Sequence, residues 1–155
     1  EIINITKDTK ELNIAKQVKL YHGMAEDILP SLKKKYDLAL TSPPYYNLEI
    51  YSDEETQSHH HGSYEEWVEH FLKPVVFGVL DRLEDSGHSC WSVKNFRTDK
   101  SYPLYDDIVS LHKERGWIKT EREFYIGNCL RPGLKDNAGK AAKSKESTYV
   151  FVKED

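Results

Sequence analysis

Apolar runs along the chain predict a series of short strands, separated by segments with helical spacing or by polar loops. Residues 18–21 and 36–40 predict the first two strands, because short runs of apolar and aromatic residues are typical of buried strands. The second run ends at two prolines, which cannot donate hydrogen bonds to a sheet. Later strands are predicted at residues 89–93, 123–126 and 148–152.

Segments with helical spacing lie between these strands. Residues 26–35 predict a short amphipathic helix, although Pro30 makes it marginal. Ser63 is a suitable N-cap for a second helix, and Glu66 three residues later completes a capping box. We expect Pro74 to kink this helix or to split it in two, and the Ser-Gly pair at positions 86 and 87 to end it.

The third helix is predicted over residues 105–115 and ends at Gly116, while residues 47–62 and 131–146 are predicted as loops. The order strand–helix–strand–helix–strand–helix–strand–strand is typical of an α/β fold, with right-handed crossovers and a sheet that is largely parallel until its end. No repeat or linker divides the chain, so residues 1–155 are predicted to form a single domain.

Composition restricts the class of protein. A length of 155 residues with 38% hydrophobic and 12% aromatic residues fits one globular domain and excludes a disordered chain. The sequence contains no apolar run of membrane-spanning length, no signal-peptide pattern and only two cysteines, which together predict a cytoplasmic protein. A net charge of −4 excludes a histone-like protein but permits a local basic surface. The chain begins with Glu1 rather than Met, which fits a processed or excised piece.

The most informative segment is Thr-Ser-Pro-Pro-Tyr-Tyr at residues 41–46, directly after the strand at 36–40. Ligands of open α/β sheets bind at the carboxyl ends of strands, which makes this segment the candidate site. Two consecutive prolines fix φ at about −65° and remove competing N–H donors, so the Pro43 carbonyl is held facing outward. Together with the Ser42 hydroxyl it provides two hydrogen-bond acceptors.

The residues Ser42-Pro43-Pro44-Tyr45 resemble the catalytic motif of the amino-group DNA methyltransferases, which methylate N6 of adenine or N4 of cytosine. In that family Asp, Asn or Ser precedes Pro-Pro and an aromatic residue. Most of residues 18–153 agrees with the family pattern, although only this motif is specific. The resemblance implies a Rossmann-like, S-adenosylmethionine-dependent methyltransferase fold and methylation of DNA, as in restriction-modification systems.

The resemblance also gives the motif residues their roles. An exocyclic base amine is a poor nucleophile, and acceptors at Ser42 Oγ and the Pro43 carbonyl would stabilise the positive charge that develops on it. Pro44 fixes the backbone, and Tyr45 would stack on an extruded base. Three residues are expected to contact the methyl donor: Met24, Ala25 and Thr41.

Two regions are candidates for contact with DNA. Lys94 and Asn95 follow the strand at 89–93 and are expected to border the target base. The loop at 131–146 has an excess of basic residues that suits it to phosphate contact, and a solvated hairpin loop is an equally good reading. Its phosphate-binding candidates are Arg131, Lys140 and Lys143.

Other chemistries are disfavoured. Carbon-5 cytosine methylation needs a Cys nucleophile, whereas Cys90 lies within a predicted strand and is expected to be a core thiol, and Cys129 has no suitable setting. No metal is expected, because the three adjacent histidines at 59–61 would rarely converge on one ion.

The Gly-rich turn that binds the donor in such folds is absent from the sequence, and Met24 stands where the family usually has Asp. We therefore expect the fold to be incomplete, with its donor-binding half supplied by another segment or a partner chain, and the strand at 36–40 to be an exposed apolar edge. The target amine is expected on N4 of cytosine slightly more than on N6 of adenine. The alternatives are a non-catalytic DNA-binding or regulatory subunit and, with less support, methylation of RNA or of a protein side-chain amide.

Overall fold

The computed structural model describes residues 18–48, 61–135 and 141–154, with the side chains of 126–135 and 141–146 outside that description. Its helical segments are α1 (Ala25–Ser31), α2 (Tyr64–Trp67), a π-helix (Val68–Leu72), α3 (Lys73–Leu80) and α4 (Leu104–Glu114). Its strands are β1 (Tyr36–Thr41), β2 (Leu83–Ser92), β3 (Phe96–Arg97), β4 (Ser101–Tyr102), β5 (Trp117–Lys135) and β6 (Ala141–Lys153).

The main sheet has four strands in the order β1-β2-β6-β5, and β3 and β4 form a separate two-stranded sheet. β1 is parallel to β2, whereas β2 pairs with β6, and β6 with β5, in antiparallel fashion. The α/β class is confirmed, but the prediction of a largely parallel sheet is wrong for the described strands. The predicted strand at 18–21 is also wrong, because those residues lie outside the sheet with no strand beside them in the described part of the chain.

The connection from helix to β2 differs from the prediction. α3 ends at Leu80 and β2 begins at Leu83, well before the Ser-Gly pair that was expected to end the helix. The register against β1 is irregular between Tyr36 and Leu38, and Gly87 lies in this bulge. A Cβ atom on Gly87 would lie 2.9 Å from the carbonyl oxygen of Glu84. Gly87 therefore permits a close backbone approach within a strand rather than terminating a helix.

The start of the second helical region agrees with the sequence. The Oγ of Ser63 accepts a hydrogen bond from the amide of Glu66 at 3.1 Å, which confirms the N-cap. The carboxylate of Glu66 accepts from the amide of Gly62 at 3.0 Å, one residue before the position that a standard capping box uses. The predicted break at Pro74 is confirmed as well, because the π-helix precedes it and places the proline in the first turn of α3.

The hairpin formed by β5 and β6 is longer than predicted. β5 continues to Lys135 and β6 begins at Ala141, with Leu130 paired to Lys143. The predicted loop at 131–146 is therefore wrong for residues 131–135 and 141–146, which are in strands. The antiparallel pairing overrides the weak strand propensity of the Lys and Gly residues there. Residues 136–140 lie outside the described part of the chain, as do 49–60 of the other predicted loop.

Helices cover one face of the sheet, and that side holds the core. The fully buried side chains there include Trp67, Leu72, Val76, Trp91, Leu104, Ile108 and Phe151. On the opposite face Leu38 is 58% exposed and Leu40 is 69% exposed, although both are large apolar residues in a strand. β1 is therefore an edge strand of the described sheet with one bare apolar face, as the sequence predicted. Within the described ranges, no helix has the length and apolarity needed to cross a membrane.

A polar network lies inside this core. The Nδ1 of His112 lies 2.7 Å from the carbonyl oxygen of Ile108, which can only accept, so Nδ1 carries the proton. Its Nε2 then accepts from the hydroxyl of Ser89 at 3.0 Å, and Ser89 Oγ accepts from Trp91 Nε1 at 2.7 Å. These three hydrogen bonds pair both ring nitrogens of His112 with the imidazole in its neutral form. Burial disfavours the charged form and lowers the pKa of His112 to about 4.

The His112 network predicts acid sensitivity. The ordinary His pKa of 6.5 applies to the unfolded chain, which therefore takes up a proton between pH 6.5 and about 4 that the folded protein does not. This group is expected to reduce the free energy of unfolding by about 3 kcal/mol as the pH falls through that window. Denaturant titrations from pH 7 to pH 4 should show a smaller loss of unfolding free energy for His112→Gln than for wild type. His70→Gln, at an exposed residue, should show the same loss as wild type. Identical profiles for wild type and His112→Gln would contradict this account.

Candidate active site at the end of β1

The motif leaves the sheet at Thr41, the last residue of β1, and the next four residues belong to no helix or strand. Ser42 is exposed, whereas Pro43 next to it is buried. The residue that carries the hydroxyl acceptor is therefore open to solvent, and the following proline is packed. Tyr45 and Tyr46 are 5% and 8% exposed. The motif thus combines an accessible hydroxyl with two buried aromatic anchors.

Tyr45 anchors the motif to the end of β2. Its ring meets the edge of Phe96 at a centroid distance of 5.3 Å, and its hydroxyl oxygen accepts the backbone N–H of Lys94 at 3.0 Å. We expected this ring to stack on an extruded base. In the described conformation its faces are buried, so stacking stays a prediction that requires the ring to leave this packing.

Tyr46 occupies an aromatic cage on the other side of the motif. Its ring centroid lies 5.8 Å from Tyr64, 6.0 Å from Trp67 and 5.7 Å from Tyr102. Edge-on and tilted contacts at these distances are favourable for aromatic pairs. No local pattern pointed to a role for Tyr46, because the cage residues come from two separate segments of the chain, α2 and β4.

The cage is fixed to α4 by a hydrogen bond. The hydroxyl of Tyr64 donates to Asp107 Oδ2 at 2.6 Å. Burial raises the pKa of Tyr64 and also raises that of Asp107, in each case because the charged form loses solvation. No sequence pattern predicted this pair, since a high aromatic content does not reveal which side chains meet.

Asn95 holds the start of α4. Its Oδ1 accepts the backbone N–H of Tyr105 at 2.9 Å, and its Nδ2 donates to Asp106 Oδ2 at 2.7 Å. We expected Asn95 and Lys94 to border the target base. The Asn95 amide caps the start of α4, and Lys94 lies next to the motif through its backbone contact with Tyr45. That these two residues border the target base stays a prediction.

The residues expected at the methyl donor do not all line the same concavity. Thr41 and Ser42 border a concavity of about 660 Å³ on the sheet face that carries Leu38 and Leu40, and most of its lining surface is apolar. Met24 and Ala25 lie at the start of α1 and are not among its lining residues. Cys90 does line it, is buried as predicted, and has a raised pKa because of that burial.

The predicted phosphate contacts fall largely outside what the structure describes. Arg131 and Lys143 lie in β5 and β6, but their side chains are outside the description, and Lys140 lies outside the described residues. Within the described ranges, no group of three or more His, Cys, Asp or Glu side chains is placed to hold a metal ion.

No known family model and no curated protein sequence matches this chain. Among solved structures, it is similar to TTHA0409 of Thermus thermophilus, provisionally named a DNA modification methylase, with 20% identity and a TM-score of 0.59. That match covers 86% of this chain and 51% of the other. The same protein complexed with S-adenosyl-L-methionine gives 21% identity and a TM-score of 0.59, over 86% of this chain and 54% of the other.

The similarity shows the fold, which is the α/β fold of the S-adenosylmethionine-dependent methyltransferases. The chain spans about half the length of the solved structures it matches. In the described sheet β1 is an edge strand, and its Leu38 and Leu40 side chains are exposed.

The contact between Tyr45 and Lys94 predicts a stability effect. Tyr45→Phe keeps the buried ring and removes the hydroxyl that accepts the Lys94 amide. We expect the free energy of unfolding to fall by about 1–3 kcal/mol, because a partly buried N–H loses an acceptor. Urea denaturation measures the change, with Tyr36→Phe, at an exposed residue, as the control that should stay within about 0.5 kcal/mol of wild type. A Tyr45→Phe protein as stable as wild type would show that this bond does not hold the motif.

Proposed function

We propose that this chain is the base-handling part of an S-adenosylmethionine-dependent DNA methyltransferase that modifies an exocyclic base amine. N4 of cytosine is slightly favoured over N6 of adenine as the target. The observation that carries the proposal is the exposure of Ser42 at the carboxyl end of β1, beside prolines and two buried tyrosines, in a fold shared with methyltransferases.

The acceptor site works through electrostatics and positioning. A hydroxyl and a carbonyl oxygen that accept both N–H bonds of an amine favour a more tetrahedral nitrogen and stabilise positive charge on it. Ser42 Oγ and the carbonyl of Pro43 are these acceptors. The prolines limit backbone movement, so the acceptors are oriented before the base arrives.

The described residues do not fit a complete donor site. Thr41 borders the concavity beside Leu38 and Leu40, whereas Met24 and Ala25, at the start of α1, are not among its lining residues. The sequence also lacks a Gly-rich turn. We therefore assign the methyl donor, S-adenosylmethionine, to a site that is completed by a further segment or chain.

The bare face of the sheet supports the same assignment. Leu38 and Leu40 are large exposed apolar residues on an edge strand, an arrangement that native proteins usually cover. A donor-binding part that adds a strand beside β1 would pair the open edge, and its apolar side chains would cover Leu38 and Leu40. Tight binding of S-adenosylmethionine by a monomer of this chain alone would contradict the assignment.

A second candidate is a non-catalytic DNA-binding or regulatory subunit. It is favoured by the absence of Met24 and Ala25 from the lining of the concavity that Thr41 borders and by the missing Gly-rich turn, because such a subunit needs no donor site. This subunit would keep the base-handling motif and would show no methyl transfer under any condition.

Transfer of labelled methyl groups to DNA, followed by digestion to nucleosides, distinguishes the two candidates. The assay uses this chain together with its donor-binding part. For an enzyme, Ser42→Ala should lower kcat by about 100-fold or more, since one of two charge-stabilising acceptors is lost.

Ser110→Ala is the matched control, because it removes an exposed hydroxyl from α4 and should leave kcat unchanged. Label on cytosine or on adenine identifies the target base. No incorporation by wild type would favour the subunit, and full activity of Ser42→Ala would remove Ser42 from the acceptor site.

A further inference from the structure

Tyr46 has an unusual backbone for its residue type. Among the described residues it is the one non-glycine residue with a left-handed conformation, at φ +32°. A side chain with a Cβ atom is strained in this region, and such strain persists only where the surroundings fix it. Its position directly after the Ser-Pro-Pro-Tyr motif makes the strain relevant to the site.

The strained residue forms part of a tight turn. The amide of Leu48 donates to the carbonyl oxygen of Tyr45 at 2.7 Å, which closes a four-residue turn with Tyr46 in its second position. A positive φ at that position is the feature of the primed turn types, which normally select Gly, Asn or Asp. The turn sets the direction in which the chain leaves the motif.

The aromatic cage explains how a tyrosine is held there. The ring of Tyr46 is buried between Tyr64, Trp67 and Tyr102, and Tyr64 is bound to Asp107 on α4. Glycine would adopt the same backbone without strain but would have no ring to anchor it. With Tyr46 in place of a glycine, the turn is strained, but the buried ring fixes the direction of the turn relative to the core.

We propose that Tyr46 is a positioning residue that orients the Ser42 hydroxyl and the Pro43 carbonyl toward the target amine. Its ring contacts no reacting atom; it acts by fixing the turn that follows the motif. The motif is then held at both ends, by β1 before it and by the caged turn after it. This inference rests on the proposed methyl transfer.

The test compares two variants of Tyr46 in the chain completed by its donor-binding part. Tyr46→Phe keeps the ring and should retain kcat within about twofold. Tyr46→Ala loses the ring and should lower kcat at least about 30-fold, while the KM for DNA and the Kd for S-adenosylmethionine change less than about threefold. A purely structural role would instead reduce the fraction of folded protein and leave kcat per folded site unchanged.

Phe77→Ala is the matched control, because this ring packs against the same core from α3 and takes no part in the motif. It should lower the melting temperature as Tyr46→Ala does and leave kcat unchanged. Amide hydrogen exchange gives a readout that needs no activity. The Leu48 and Lys94 amides should exchange at least about tenfold faster in Tyr46→Ala than in Tyr46→Phe.

The two possible failures are distinguishable. Unchanged kcat and unchanged amide exchange in Tyr46→Ala, with active wild type, would overturn the positioning role and leave the proposed function intact. No methyl transfer by the completed wild-type protein would overturn the proposed function, and with it the role of Tyr46 toward an amine.

Discussion

The hydrogen bond from the Lys94 amide to the Tyr45 hydroxyl joins the ends of two parallel strands, β1 and β2. The chain leaves β1 through a Pro-Pro segment that has no N–H groups with which to form a ladder, so side chains must supply the attachment. Tyr45 supplies it on one side, and the cage around Tyr46 supplies it on the other. Both tyrosines are buried, and Ser42 lies between β1 and these two side chains. Its backbone is therefore fixed on both sides although the residue is exposed.

The one-sided core is the second constraint. Helices cover the face that contains Trp91 and Phe151, and the opposite face presents Leu38 and Leu40. A parallel pair of strands is normally covered on both faces, because its connections place helices there. The exposure of Leu38 and Leu40 and the edge position of β1 in the described sheet are the two structural observations that support the proposed donor-binding part.

Local signals predicted local structure well. The Ser63 cap, the break at Pro74 and the strand before the motif depend on neighbouring residues, and the structure confirms all three. The bulge at Gly87 and the long β5–β6 hairpin depend on pairing with distant strands, which a single sequence does not reveal.

The candidate site shows the same division between local and tertiary signals. The motif itself was visible in the sequence, because two prolines and a preceding strand are local features. The burial of Tyr45 and the use of Asn95 to hold α4 were not visible, since each depends on contacts between separate segments.

A structure of the completed protein bound to DNA is the most direct test of the proposed function. We expect the target amine to lie within hydrogen-bond distance of Ser42 Oγ and the Pro43 carbonyl oxygen, and an amine bound away from both would contradict the proposed function.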